Sequence, residues 1–362
     1  MEKKKKSEPL FRSELLFRKA LKALAWIVGL FLFGAVLYYA GIDSLKAIAQ
    51  SDWRFLGITL LAVGTLTAAT AIRWGLIANA LAGRRLVSWA QYYHFNILGR
   101  VTGLFIPQIA GDIGTRTIAL TATKSSGLGV AFSSTVIDRM FDALGTAILF
   151  FPSLLYVSKL IPRRAALGLS LLLMVLLAFV ITARWSAVWR LLMKLVNGMA
   201  KLAGRFPLTK RAITPQRLEM LHQLTERPIS SRLALHVYLL SMARLFLMII
   251  RSYSVALALG IHAPFVTIYL IVPVAQLIML LNITPMGLGM REAGWAAVLT
   301  LAGASPKDAL IFALGHRAYL YVSVSVLGLI SYASLILARK RASREKITLQ
   351  AEIADPPVQN ES

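Results

Sequence analysis

The chain has 362 residues, 57% of them hydrophobic and only 15% charged, with a mean hydropathy of +0.67. That balance lies outside the range of soluble domains, and the absence of cysteine excludes a disulfide framework, thiol chemistry and a cysteine-ligated metal. The formal charge of +24 sits in loops and tails beside apolar segments with no RNA- or DNA-binding motif, so its expected partners are anionic lipid headgroups and not nucleic acid.

Residues 1–19 form a basic tail that includes Lys3 to Lys6. The first apolar run, 20–41, lacks a small-residue cleavage site and reads as a retained helix, not a signal peptide. Further spanning helices are predicted at 54–80, 126–157, 164–183, 232–259 and 307–338, about six in all. Two apolar regions break this pattern. Residues 88–123 are interrupted by Pro107 to Gly114, and 263–304 by Pro285 to Gly289. Each reads as a pair of short helices that re-enters the membrane or crosses it twice, which requires protein or a wet cavity around the freed backbone groups. Residues 185–206 can place Trp185, Trp189, Leu192, Val196, Met199 and Phe206 on one face, with Arg190, Lys194, Lys201 and Arg205 available for phosphates. That segment is either an interfacial amphipathic helix or an ordinary linker helix. Residues 339–362 form a cytoplasmic tail, expected to be disordered beyond Ile347.

An offset of 178 residues superposes Arg54 on Arg232, Arg73 on Arg251, Pro107 on Pro285, Gly111 on Gly289 and Arg139 on Arg317. The halves are then about 52–155 and 230–333, joined by 156–229. Paired interrupted segments are the sequence signature of a transporter-like core. The basic stretches Lys3–Lys6, Arg84-Arg85, Arg184–Arg227 and Arg339–Lys346 share one side if each broken region crosses an even number of times, leaving Lys159, Arg163 and Arg164 outside. Both termini are then cytoplasmic, and the helix at 54–80 runs opposite to its mate at 232–259. The expected fold is an all-α polytopic membrane protein with two broken helix pairs in an inverted repeat.

The first break holds Gly99, Arg100, Gly103, Pro107, Gly111, Asp112 and Arg116; the second holds Pro285, Gly287, Gly289, Arg291 and Glu292. Opened helix ends expose amides that can hold an anion, and the arginines can neutralise a phosphate. The alternative is that these Arg–acid pairs only tie a broken helix to its neighbours. Helix 126–157 carries Asp138, Arg139 and Asp142, with both carboxylates on one face. Each such charge costs about 2.5–3.5 kcal/mol at a helix centre, so partners or water are required. Arg139 either pairs with its own carboxylates or contacts a headgroup, and a proton-carrying role for Asp138 or Asp142 is the further alternative. Arg73, Arg244 and Arg251 also lie in long helices, where Arg73 either snorkels to the interface or joins a site. Arg317, the repeat mate of Arg139, is the stronger candidate. Histidines 94, 222, 236 and 262 show no metal-ligand spacing, and no Walker A loop or nucleophile motif is present.

The run Gly99, Pro107, Gly111-Asp112, Arg116, followed by Asp138-Arg139 and Asp142, resembles the first signature of the lysylphosphatidylglycerol synthase transmembrane-region family. Pro285, Gly287, Gly289, Arg291-Glu292 and the later Arg317 resemble its second. The resemblance covers roughly residues 20–338, with Met286 standing where the family often has a glycine. It implies a flippase-like domain, which in bifunctional members moves an aminoacylated phospholipid made by a C-terminal cytoplasmic domain. Here the chain ends near the last helix, so aminoacylation by it is not expected. Stand-alone relatives are linked to glycosylation or hopanoid pathways, and the substrate does not carry over.

The expected function is translocation of an anionic, aminoacylated or glycosylated lipid across a bacterial or archaeal inner membrane. Arg100, Arg116, Arg139, Arg291 and Arg317 would receive the headgroup, with Asp112, Asp138, Asp142 and Glu292 balancing them. No catalytic residue, cofactor or metal is expected. The alternatives are a membrane subunit of a lipid-modifying transferase, with Asp138 and Asp142 as its acid/base pair, and an anchor that recruits a separate synthase through the basic loop.

Overall fold

A computed structural model describes residues 8–105, 108–205, 229–280, 284 and 287–354. In chain order the helices are α1 (Glu8–Ala49), α2 (Arg54–Ala82), α3 (Trp89–Thr102), α4 (Gln108–Ala122), α5 (Leu128–Val157), α6 (Arg163–Arg205), α7 (Ser231–Ala258), α8 (Phe265–Leu280), α9 (Met290–Leu301) and α10 (Pro306–Ala354). No strand occurs among the described residues.

Several helix boundaries are set by side chains next to them. Ser88 accepts from the Gln91 amide while Gln91 accepts from the Ser88 amide, a reciprocal cap that starts α3. Ser230 caps α7, Ser305 accepts from the Asp308 amide at the start of α10, and Gly83 closes α2 with φ 67°. Inside the helices, buried hydroxyls such as Thr67, Thr70, Thr135, Ser170 and Ser252 return to carbonyls four residues earlier. They are thereby satisfied without water.

Among the described residues, five helical segments are long and apolar enough to cross a bilayer: α2, α5, residues 163–194 of α6, α7 and residues 306–338 of α10. The sixth predicted span falls within α1, whose described apolar part is Ile27–Ile42. The segment of α6 has the highest mean hydropathy, 2.6, and the lowest burial, 17%, against 2.0 and 44% for α7. An apolar helix that presents most of its surface outward is stable only where the solvent is lipid. This is a polytopic membrane protein.

Both broken regions form paired short helices. At 1.5 Å per residue, the 14 and 15 residues of α3 and α4 rise about 21 and 23 Å, short of a hydrocarbon core of about 30 Å. The hydroxyl of Thr102 ties the two arms, lying 3.2 Å from the Gly111 carbonyl oxygen and 2.8 Å from the Thr115 hydroxyl. The second pair, α8 and α9, has 16 and 12 residues.

The helices recur at the 178-residue offset, α2 to α5 answering α7 to α10, with boundaries matching within a few residues except that α10 runs on to Ala354 where the end of α5 maps to position 335. Packing is reciprocal as well: α5 lies on α8 while α10 lies on α3, and the most extensive contact joins the mates α2 and α7. These two run antiparallel. The Asp52 amide before α2 donates to the Ala258 carbonyl at the end of α7 (3.1 Å), whereas Arg73, farther along α2, reaches Ser241 (2.7 Å).

Helix α6 kinks at Arg184, between the predicted span 164–183 and the predicted amphipathic segment. Beyond the kink, Trp185, Trp189 and Leu192 are buried against Ile137, Phe141, Val237 and Tyr238, and the Trp185 indole donates to the Ile229 carbonyl at 2.5 Å. The apolar face is therefore covered by protein along this part, with Arg190 and Lys194 exposed. The side chains of Val196, Met199, Lys201, Arg205 and Phe206, together with Pro107 and Pro285, lie outside the described residues.

Candidate functional site

Helix α5 brings Asp138, Arg139 and Asp142 to the middle of the bundle, where three other helices supply partners. Arg73 on α2 lies 2.6 Å from Asp138 and 2.5 Å from Asp142. Arg116 on α4 pairs with Asp112 at 3.1 Å and with Asp138 at 2.9 Å, and its guanidinium stacks 4.3 Å from the Trp74 ring centre. Arg139 reaches Asp112 at 2.5 Å and Asp142 at 3.3 Å, and Arg244 on α7 reaches Asp142 at 3.1 Å. Asp138 and Asp142 thus each face two or more guanidinium groups. The core of the network, Arg73, Arg116 and Asp138, has no exposed side-chain surface, while Arg139 retains 24%. Its accessible edge is at Arg139, Asp142 and Arg244.

The second half keeps only part of this plan, since Arg116 and Asp142 fall opposite the uncharged Gly294 and Leu320 at the same offset. Glu292 near the start of α9 uses one oxygen to accept the Gly289 amide at 2.8 Å and the other to pair with Arg317 on α10, which also donates to the Tyr321 hydroxyl at 2.6 Å. This Arg317–Glu292 contact answers Arg139–Asp112. The mate of Arg73 is Arg251, and the mate of Asp138 is His316. Arg251 Nη2 sits 3.1 Å from His316 Nε2, so the contact is kept and the negative charge is not. A guanidinium only donates, so Nε2 accepts and the imidazole is uncharged there. The ring is held between Trp295 and Phe312 at centroid distances of 4.8 and 5.5 Å.

Among the described residues eight arginines are embedded among the helices: Arg73, Arg100, Arg116, Arg139, Arg244, Arg251, Arg291 and Arg317. Four carboxylates among the described residues, those of Asp112, Asp138, Asp142 and Glu292, are set among them. The excess is localised. Arg100 at the end of α3, Arg251 on α7 and Arg291 at the start of α9 have no carboxylate partner among the described residues, and each keeps a buried Nε with no hydrogen-bond acceptor. Arg251 is within electrostatic reach of both Arg100 and Arg291.

Glycine shapes both breaks. At Gly99 an added Cβ would stand 3.0 Å from an Asp112 oxygen, so the absent side chain lets the arms of the first hairpin close on that carboxylate. At Gly289, with φ of 75°, it would stand 2.2 Å from Leu32 Cβ and 2.7 Å from the Phe33 amide of α1. Gly103 ends α3 in a right-handed conformation, Gly111 is buried with its carbonyl held by Thr102, and Gly287 has φ of 66°.

Of the nine predicted substrate-binding residues, Asp112, Arg116, Asp138, Arg139 and Asp142 share the first cluster and Glu292 and Arg317 the second, whereas Arg100 and Arg291 are embedded without an ion pair among the described residues. Arg73, Arg244, Arg251 and His316 join them without having been singled out as binding residues. The 178-residue offset carried the signal for three of these, since it pairs Arg73 with Arg251 and Asp138 with His316. No group of three or more metal-ligating side chains occurs among the described residues. A groove of about 770 Å³ lined by Ala296, Leu301, Lys307 and Leu310 contains none of the eight arginines.

Residues 26–328 match the family described as the lysylphosphatidylglycerol synthase TM region. The chain belongs to that family. The matched span contains every residue of both clusters. A similar protein is a "UPF0104 membrane protein" from Methanothermobacter thermautotrophicus, 23% identical over 329 residues that cover 86% of this chain and 91% of the relative. No solved structure matches.

Proposed function

We propose that this membrane domain translocates a lipid with an anionic headgroup between leaflets of a cell inner membrane, with both termini cytoplasmic. The observation that carries this reading is the excess of embedded arginine over carboxylate in and beside the two broken helix pairs. A cation at membrane depth is costly, and in transport proteins it serves a substrate or ion path. Leaving three guanidinium groups without an anion is affordable only if a phosphate or water completes them. The antiparallel mates α2 and α7 support an inverted arrangement, which would let the halves exchange roles about a central site. Acyl chains would stay in lipid while only the headgroup crosses, and basic segments such as Arg84-Arg85 would hold anionic headgroups at the cytoplasmic face.

The transferase reading needs a carboxylate free to move a proton. Both Asp138 and Asp142 are engaged by arginines, which argues against it. Recruitment of a separate synthase is compatible with translocation and would supply the substrate.

The test is reconstitution into phosphatidylcholine vesicles with fluorescent anionic phospholipids, scoring movement by dithionite quenching. The intact protein should move at least one faster than empty vesicles, and Arg251→Gln should slow it by about tenfold while elution and tryptophan fluorescence stay normal. Equal rates with and without protein, across anionic lipids of all headgroup types, would overturn the proposal.

A further inference from the structure

The internal repeat provides a comparison between two equivalent positions within one chain. In the first half Arg73 meets Asp138 on α5, and that arginine is neutralised. In the second half the equivalent Arg251 meets His316 on α10, and no carboxylate replaces the missing one among the described residues. Arg251 is only 4% exposed, yet its Nε has no acceptor. Arg100 from the first broken pair and Arg291 from the second lie within its electrostatic reach, and so does Arg244, which shares Asp142 with other arginines. Three elements thus carry guanidinium groups within electrostatic reach of one another, while Asp142 beside them is already paired.

From this we infer that the site takes a phosphomonoester or diphosphate headgroup, carrying two or more negative charges, in preference to a phosphodiester carrying one. This deepens the translocation proposal and rests on it for its lipid setting. The reason is charge balance. Among the described residues the embedded arginines, Arg100 and Arg291 included, exceed the embedded carboxylates by four. A single phosphodiester charge would leave most of that excess buried without a counter-ion. A terminal phosphate or a diphosphate also offers several oxygens to forked guanidinium donors arriving from different directions, whereas a diester has two of its oxygens alkylated. The His316 exchange is then part of the binding site: the ligand supplies the charge that Asp138 supplies in the other half.

Binding and movement are measured separately, so that failure of this inference and failure of translocation can be told apart. Full-length protein in detergent is titrated with phosphatidic acid, a long-chain alkyl diphosphate, phosphatidylglycerol and inorganic pyrophosphate, reading tryptophan fluorescence. Phosphatidic acid or the alkyl diphosphate should bind about tenfold tighter than phosphatidylglycerol, and Arg251→Gln or Arg291→Gln should erase the difference. Should either variant fail to fold, Arg100→Gln serves in its place. Equal binding of phosphomonoester and phosphodiester lipids, or a preference for phosphatidylglycerol, overturns the inference even if lipids are moved. Selective binding without movement in vesicles upholds it and overturns translocation. Pyrophosphate binding as tightly as the alkyl diphosphate keeps the charge class and overturns the lipid as its source.

Discussion

Asp138 is the residue whose loss should be felt most widely, because one carboxylate faces Arg73 and Arg116 with no exposed surface. Asp138→Asn leaves two buried guanidinium groups short of a counter-charge, and a cost of about 3–5 kcal/mol is expected. It would be measured as a lowered thermal midpoint in detergent. Adding Arg73→Gln should recover part of the loss, since partners in one network are not additive. Which residues were legible follows from the same physics. Asp138, Arg139 and Asp142 stand out in sequence because three charges within one apolar helix cannot all reach an interface. Arg73 does not, because a single arginine in a long helix can be satisfied by snorkelling, and only the approach of α5 decides otherwise. His316 is a plain histidine until its position opposite Arg251 is known.

At the scale of helices, the two breaks were visible because proline and glycine interrupt apolar runs at corresponding places. Their lengths as helices then point to short arms and not to full crossings. What composition did not mark was the docking of α1, whose Leu32 and Phe33 backbone lies where a Gly289 side chain would be. Nor did it mark that the tryptophan face after Arg184 is closed by α5 and α7, since an amphipathic pattern does not say whether lipid or protein covers it. Gly289→Ala combines a strained φ with a contact against backbone, so neither the residue nor its neighbour can yield cheaply. The variant should destabilise the protein by about 1–3 kcal/mol or more and reduce the recovered monodisperse fraction in size-exclusion chromatography. Gly34→Ala, with open space at that position, should behave as the parent.

For the whole molecule, class and helix order were readable because bilayer thickness dictates helix length, whereas the packing of α10 against α3, α7 and α9 is long-range and no local pattern contains it. The antiparallel mates make the orientation testable. A chain without cysteine accepts single reporters. Arg84→Cys lies past the end of α2 and His262→Cys past the end of α7, so they should face opposite sides. In intact cells an impermeant maleimide should label position 262, with position 84 reacting only after permeabilisation. Labelling of both from the same side would remove the inverted arrangement.

Helix α1 stands outside the repeat and packs on α9 and α10. It lies against Gly289 at the second break, and its Phe33 ring faces the Arg317 guanidinium at 5.5 Å. The two hairpins are consequently anchored by different means: α1 braces the second like a splint, whereas the first is fastened to α5 through Arg116–Asp138 and Arg139–Asp112. A rocking motion would have to loosen ion pairs on one side and an aromatic brace on the other, so the charge of a bound headgroup would act first on the Gly99–Asp112 side.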